Sequence, residues 1–253
     1  MCIYKKKFVH KRKNSVFINK NIQHKNVRYI VMHLKNFFSK TKQKIKGKGN
    51  IIELSKKNNY KGKIKIIGDY NKIEIADNVK YYDLNIVIYG NHNNIRIDED
   101  CELNEACFSI GIKYTPANNV CINLGTGITI SGKSHLFCAE DDSKIIINEN
   151  CLLSSGIDIW CTDTHSIHDI NGNILNIGKE VIIGKHVWIG KDVKICKNTK
   201  IADNCVIGWN SVITSSISNK HNANSVIAGN PAKVVKENIL WSKERPNIKH
   251  IEC

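Results

Sequence analysis

Two histidines and two aspartates crowd into the stretch "WCTDTHSIHDINGNILN" (160–176), as Asp163, His165, His168 and Asp169. Imidazole titrates near ~6.5, so close to neutrality it can accept a proton in one step and hand it on in the next. Proton transfer to or from a substrate is therefore the chemistry this cluster could do. Its weight comes from its position, because it interrupts a rule that the surrounding chain obeys.

That rule is a period of six. In "NIGKEVIIGKHVWIGKDVKICKNTKIADNCVIGWNSVIT" (176–214), isoleucine stands at 177, 183, 189, 195, 201, 207 and 213. One residue past these lie Gly178, Gly184, Gly190, Cys196, Ala202 and Gly208, small enough for tight corners. Neither an α-helix nor an ordinary strand repeats every six. A short strand plus a turn does, and three such units make a coil that stacks on its neighbour at ~4.8 Å, the spacing of paired strands. The period thus predicts a parallel β-helix, a triangular prism filled by stacked aliphatic side chains.

Looser repeats extend it upstream. "IKIIGDYNKIEIADN" (64–78) is echoed by "IVIYGNHNNIRIDED" (86–100), with Gly68 and Gly90 at corners and asparagines suited to left-handed backbone. Leu124 and Ile130 are six apart, as are Ile147, Leu153 and Ile159. The next eighteen residues amount to one coil in length, yet their inward positions would be His165 and Asn171. In a repetitive scaffold a broken rule marks a place for function. The chain is expected to bulge out here and return at Ile177.

Charge divides the 253 residues. Residues 1–50 hold fifteen Lys and Arg and no Asp or Glu, while the whole chain nets +15, so the remainder is neutral. Within that arm, Val27, Ile30, Val31, Leu34, Phe37 and Phe38 have helical spacing, which predicts an amphipathic helix ending near Gly47–Gly49. Three regions follow: the basic arm (1–50), the β-helix (51–230), and a short C-terminal helix and tail (231–253). The N-terminal helix either packs on or near the end of the body, or the arm meets a polyanion or the inner-membrane surface through residues 1–46. Without interleaved aromatic platforms it does not suggest specific nucleic-acid binding. Ten scattered cysteines with no C-x-x-C pair read as reduced core fillers of a cytoplasmic protein. No apolar run is long enough for a membrane span, and the lysine-rich start lacks the apolar core of a secretory signal. No metal-ligand spacing is legible: a zinc hydratase on the same prism would need a histidine pair roughly five residues apart plus a third, whereas His168 follows His165 by three and His186 lies twenty-one beyond His165.

Over Ile64–Trp241 the sequence resembles the hexapeptide-repeat acyltransferases, which fold as left-handed parallel β-helices. The likeness is strongest in "TDTHSIHD", "VIIGKHVWIG", "VIGWNSVIT" and "VIAGNPAKVVKENILW". Within that family it is similar to bacterial capsule and surface-polysaccharide O-acetyltransferases, including those acting on sialic acid. The handedness comes from the resemblance, since a six-residue period gives only a β-helix. The resemblance implies His165 as general base, with acetyl-CoA as donor and a glycan hydroxyl as acceptor. His168 and Asp163 would contact the acceptor. Trp188, Gly190, Lys191, Trp209, Thr214, Lys233 and Lys236 fall on the family's CoA-binding positions. Trp209 stands where the family usually has a small residue, and Ser215 where it often has lysine. Family members are homotrimers with each site shared between neighbours. Two alternatives stay open: transfer to an amine of a nucleotide-linked amino sugar, and a non-catalytic β-helix. For individual residues, Trp188 could instead be an interface residue and His168 the base.

Overall fold

The computed structural model describes residues 41–55, 61–218 and 220–245. They wind into a prism with three faces, made of sheets of eight, seven and eight strands. Every strand pairing is parallel except the last, between Val226–Gly229 and Ala232–Lys236. On the first face, Ile64, Ile86, Phe108, Leu136, Ile159, Ile195 and Ile213 lie in register as one inward column. All seven are at most 2% exposed. Burying each such side chain contributes about 1.5–3 kcal/mol, so the column, repeated on the other faces, is the core.

Six of the seven hexad isoleucines, from Ile183 to Ile213, are buried as the period predicts. Ile177 is not; it is 52% exposed. The chain re-enters the prism one residue later, at Gly178, where an added Cβ would lie 2.3 Å from the Cys161 carbonyl oxygen. Re-entry therefore needs a residue with no side chain, which leaves Ile177 outside.

The successive intervals along the first-face column are 22, 22, 28, 23, 36 and 18 residues. Only the coils after Glu180 keep the strict eighteen. The step of 36 is two coil lengths, so the extra eighteen residues between Trp160 and Glu180 form a loop outside the prism. The step of 28 holds a smaller excursion, closed by a bridge between Ile112 and Thr115. Both leave the edge joining the first face to the second, because Ala106–Ile110 and Ile157–Trp160 are first-face strands while Cys121–Leu124 and Glu180–Ile183 belong to the second.

Gly68 and Gly90 are corners, as expected. At Gly90 (φ 135°) a Cβ would sit 1.8 Å from the Ala117 oxygen. The asparagines beside them act differently from the expectation. Tyr70 and His92 take the left-handed backbone, while Asn71 and Asn93 are buried. Asn93 Nδ2 donates to Asn71 Oδ1 (2.9 Å), and Asn71 Nδ2 to Asn50 Oδ1 (3.0 Å). This ladder satisfies amides that burial would otherwise penalise.

Both terminal expectations need correction. The apolar positions of the N-terminal helix lie outside the described residues, but its expected last turns, Thr41–Lys46, are a strand paired with Gly62–Ile67. Lysines at 42, 44 and 46 alternate with Thr41, Gln43 and Ile45, a period of two that the helical reading overran. At the other end, Ala232–Lys236 is an antiparallel strand where a helix was expected. It completes a hairpin on the edge strand of the third face, whose unpaired backbone groups it satisfies. The chain then runs extended up the edge between the second and third faces. Ile239 N–H donates to the Asn224 carbonyl (2.9 Å), and Trp241 stacks on His186 at 4.1 Å. Leu240 stays 90% exposed.

Candidate active site

The loop over 161–178 and the excursion at 112–115 bound a cleft of about 300 Å³ on the edge between the first and second faces. His165, Ser166, Thr162, Thr164, Glu140 and Asn176 contribute its polar atoms. The sequence break, the extra eighteen residues and the cleft therefore coincide.

The loop is tied down at both ends by one carboxylate. Glu140, on the preceding coil, accepts from Thr162 Oγ1 (2.8 Å) and from the Gly178 amide. Asp163 accepts from Lys197 Nζ and from Asn176 Nδ2 (2.8 Å), joining the loop to the next coil. Asn176 spans the loop's mouth, because Nδ2 also donates to the His165 carbonyl (2.9 Å) and Oδ1 accepts the Ile167 amide (2.7 Å). Held in this way, His165 lines the cleft, and among the described residues its ring nitrogens have no hydrogen-bond partner.

The other polar residues serve the loop. His168 uses both ring nitrogens within it, Nδ1 on the Gly172 carbonyl (3.2 Å) and Nε2 on Ser166 Oγ (2.9 Å). Asp169 accepts the Asn171 and Asn173 amides and Asn173 Nδ2 in a tight turn. Those bonds hold its carboxyl below the usual aspartate range. His168 and Asp163, expected to contact acceptor, make these hydrogen bonds within the protein, whereas the His165 ring makes none among the described residues.

The Lys197 hydrogen bond, then that from Asn176, holds the Asp163 carboxyl below its ordinary value of 3.8. A lowered folded-state pKa gives a contribution that is complete above the ordinary value and lost as pH falls through the lowered one. Amide protection factors across 163–177 should therefore hold steady from neutrality down to about pH 5 and fall at more acidic pH. Asp163→Asn should show the lower protection at every pH. Equal protection in variant and native protein would mean the pair does not hold the loop.

The expected donor residues do not converge on His165 within one chain. Trp188 projects outward from the third face, and Gly190, Lys191 and Trp209 follow at the edge between the third and first faces. Lys233 and Lys236 lie on the terminal hairpin of the third face. Gly190 explains how Trp209 is accommodated: a Cβ there would come within 2.5 Å of Trp209 Cδ1, so the indole rests where a side chain would be. Trp209 is 70% exposed and Trp188 37%, leaving two indoles, three lysines and a corner without side chain along one flank. Thr214 is the exception, since it follows Val212–Ile213 on the same edge as His165.

Glu140, Asn176 and Lys197 were not picked out from sequence. Glu140 stands a full coil before the loop with no motif around it. Asn176 alone carried a signal, as the last polar residue before the period resumes.

Comparison with known proteins agrees with this geometry. Residues 180–215 match the family model described as bacterial transferase hexapeptide (six repeats). The solved structure of the polysialic acid O-acetyltransferase OatWY is 32% identical, covering 82% of this chain and 93% of that one, with a TM-score of 0.71. The chain belongs to the hexapeptide-repeat acyltransferase family, and its prism is a left-handed parallel β-helix. A curated polysialic acid O-acetyltransferase of Neisseria meningitidis is 34% identical over 118 residues, 46% of this chain. That match spans about half (51%) of the curated relative's length. The polySia-specific acetyltransferase NeuO shares the fold at 24% identity and a TM-score of 0.71, covering 81% of this chain and 90% of that one.

Proposed function

We propose that this protein transfers an acetyl group from acetyl-CoA to a hydroxyl of a bacterial surface glycan, with a sialic-acid-containing polymer as the favoured acceptor. The observation that carries the reading is the unpartnered imidazole of His165, set in a cleft on a loop tethered at both ends. A sugar hydroxyl is a weak nucleophile near neutral pH. The imidazole takes its proton as the oxygen attacks the thioester carbonyl, and the same proton then passes to the departing thiolate. Backbone N–H groups on a rigid rung are suited to stabilise the oxyanion between those steps. No covalent enzyme intermediate is needed.

The donor lies along the flank of Trp188, Gly190, Lys191, Trp209, Lys233 and Lys236, its phosphates toward the two hairpin lysines. Because that flank and the His165 cleft occupy different edges of one prism, the working site joins two subunits. A homotrimer closes such a head-to-tail contact. The enzyme works in the cytoplasm, and the lysine-rich first 46 residues suit attraction to an acidic polymer or to the inner-membrane face.

Radiolabelled acetyl-CoA offered with polysialic acid, neutral capsule polymers, lipopolysaccharide and nucleotide-linked amino sugars tests the reading. Label should enter an ester on the sialic acid polymer. Label in an amide of an amino sugar, or in none of these acceptors, would contradict it.

A further inference from the structure

The first face carries a charge pattern that the cleft does not explain. Lys42 lies directly opposite Lys63, and Lys44 opposite Lys65, on neighbouring parallel strands. Lys46 follows on the outward side of the first of these strands. Like charges facing one another across a ladder destabilise it. The nearest acidic groups offer no relief, since Asp83 pairs with Lys61 and Asp69 accepts the Lys48 amide. Among the described residues none of these five lysines takes part in an ion pair, although Lys65 Nζ donates to the Tyr89 hydroxyl and lies 4.8 Å from that ring's centroid, a contact that leaves its charge unneutralised. Upstream the sequence offers no remedy either, as residues 1–40 contain no Asp or Glu.

The row that holds Lys44 and Lys65 continues in register through Val87, Ser109 and Phe137 to Trp160. Trp160 is 40% exposed and braced edge-on by Phe137 at 5.2 Å and His135 at 5.7 Å. It is the last strand residue before the loop that bears His165. Four strand spacings, about 19 Å, separate Lys65 from Trp160. A cationic rail thus leads along one flat face to a fixed indole beside the cleft.

We propose that the first face is the acceptor track. An acidic polysaccharide lies across the strands with its carboxylates on Lys42, Lys44, Lys46, Lys63 and Lys65. One sugar ring sits against Trp160, which presents its hydroxyl to His165. This rests on the acetyl-transfer reading and adds to it that an acidic acceptor long enough to reach the lysines is bound more tightly than a short or neutral one, which meets the cleft alone. A neutral glycan would gain nothing from the rail, and a disaccharide at the cleft would not touch it.

Binding of long-chain polysialic acid, measured without acetyl-CoA at low and moderate salt, tests the track with Lys42→Glu/Lys63→Glu. The neutral version, Lys42→Gln/Lys63→Gln, serves if charge reversal disturbs folding. Dissociation constant and polymer KM should rise about tenfold or more, with a shallower salt dependence as fewer counterions are released. Turnover of a sialic acid disaccharide should not change. Polymer binding equal to that of native protein, with the same salt dependence, overturns the track even if acetyl transfer proceeds. Native protein that fails to bind the polymer overturns it too. Lysine-dependent binding with no transfer to any acceptor would leave the track standing and remove the acetyl-transfer reading.

Discussion

Replacing His165 with alanine should lower acetyl transfer by about two to four orders of magnitude, the usual worth of a general base. The oligomer and its thermal transition should be unchanged. Both halves of that expectation follow from how the loop is held. Its anchors are the Glu140 bonds to Thr162 and Gly178, the Asp163–Lys197 pair, and Asn176 across the mouth. None uses the His165 ring, so removing the ring takes away no tether. A base acting only as bonds change affects kcat and kcat/KM equally, leaving acceptor KM nearly constant. His168→Ala gives the contrast. Its ring bridges Ser166 and Gly172 inside the loop, so its loss should loosen the loop and raise KM with a smaller effect on kcat. Initial rates of CoA release across both variants separate the roles. A His165→Ala enzyme within tenfold of native activity would exclude the ring as base.

Much of the scaffold was legible because a prism built from hexads repeats its physics every coil. Each inward isoleucine from Ile183 to Ile213 could be placed by counting, and so could the corners at Gly68 and Gly90. The loop was legible for the opposite reason, since polar residues at inward positions cannot be stacked in a dry core. Counting straight through the loop fails, however. In steps of six, residue 165 would share the second-face position of Ile183, whereas extrusion leaves it on the edge just after Trp160. That difference decides which neighbours His165 has.

What stayed hidden depends on contacts between coils. Glu140 reaches Gly178 across 38 residues, and Asp163 meets Lys197 across 34. No local pattern announces either pairing. Ile177 kept the sequence period but lost its place because the return of the chain is set by the space at Gly178, which lies against the Cys161 carbonyl. At the terminus, "AKVVKENILW" has apolar residues that suit a helix and a strand equally well. The open edge of the third face decided for the strand.

A subunit with a dead base and a subunit with a dead donor flank should rescue one another. This second large effect follows from the separation of His165 and the Trp188–Lys236 flank onto different edges of the prism. In the proposed head-to-tail ring, each site would take its base from one subunit and its donor surface from the next. Reversing charge at Lys233 and Lys236 should weaken donor binding without touching the cleft, just as His165→Ala spares the flank.

The most direct measurement is the activity of mixed oligomers formed by unfolding and refolding His165→Ala chains together with Lys233→Glu/Lys236→Glu chains in equal amounts. Random mixing places an intact base beside an intact flank at about a quarter of the interfaces, so activity should return to roughly that fraction of native from two nearly inactive parents. Mixed oligomers no more active than the parents would mean that base and donor surface must come from one chain, and the two-edge site would be wrong.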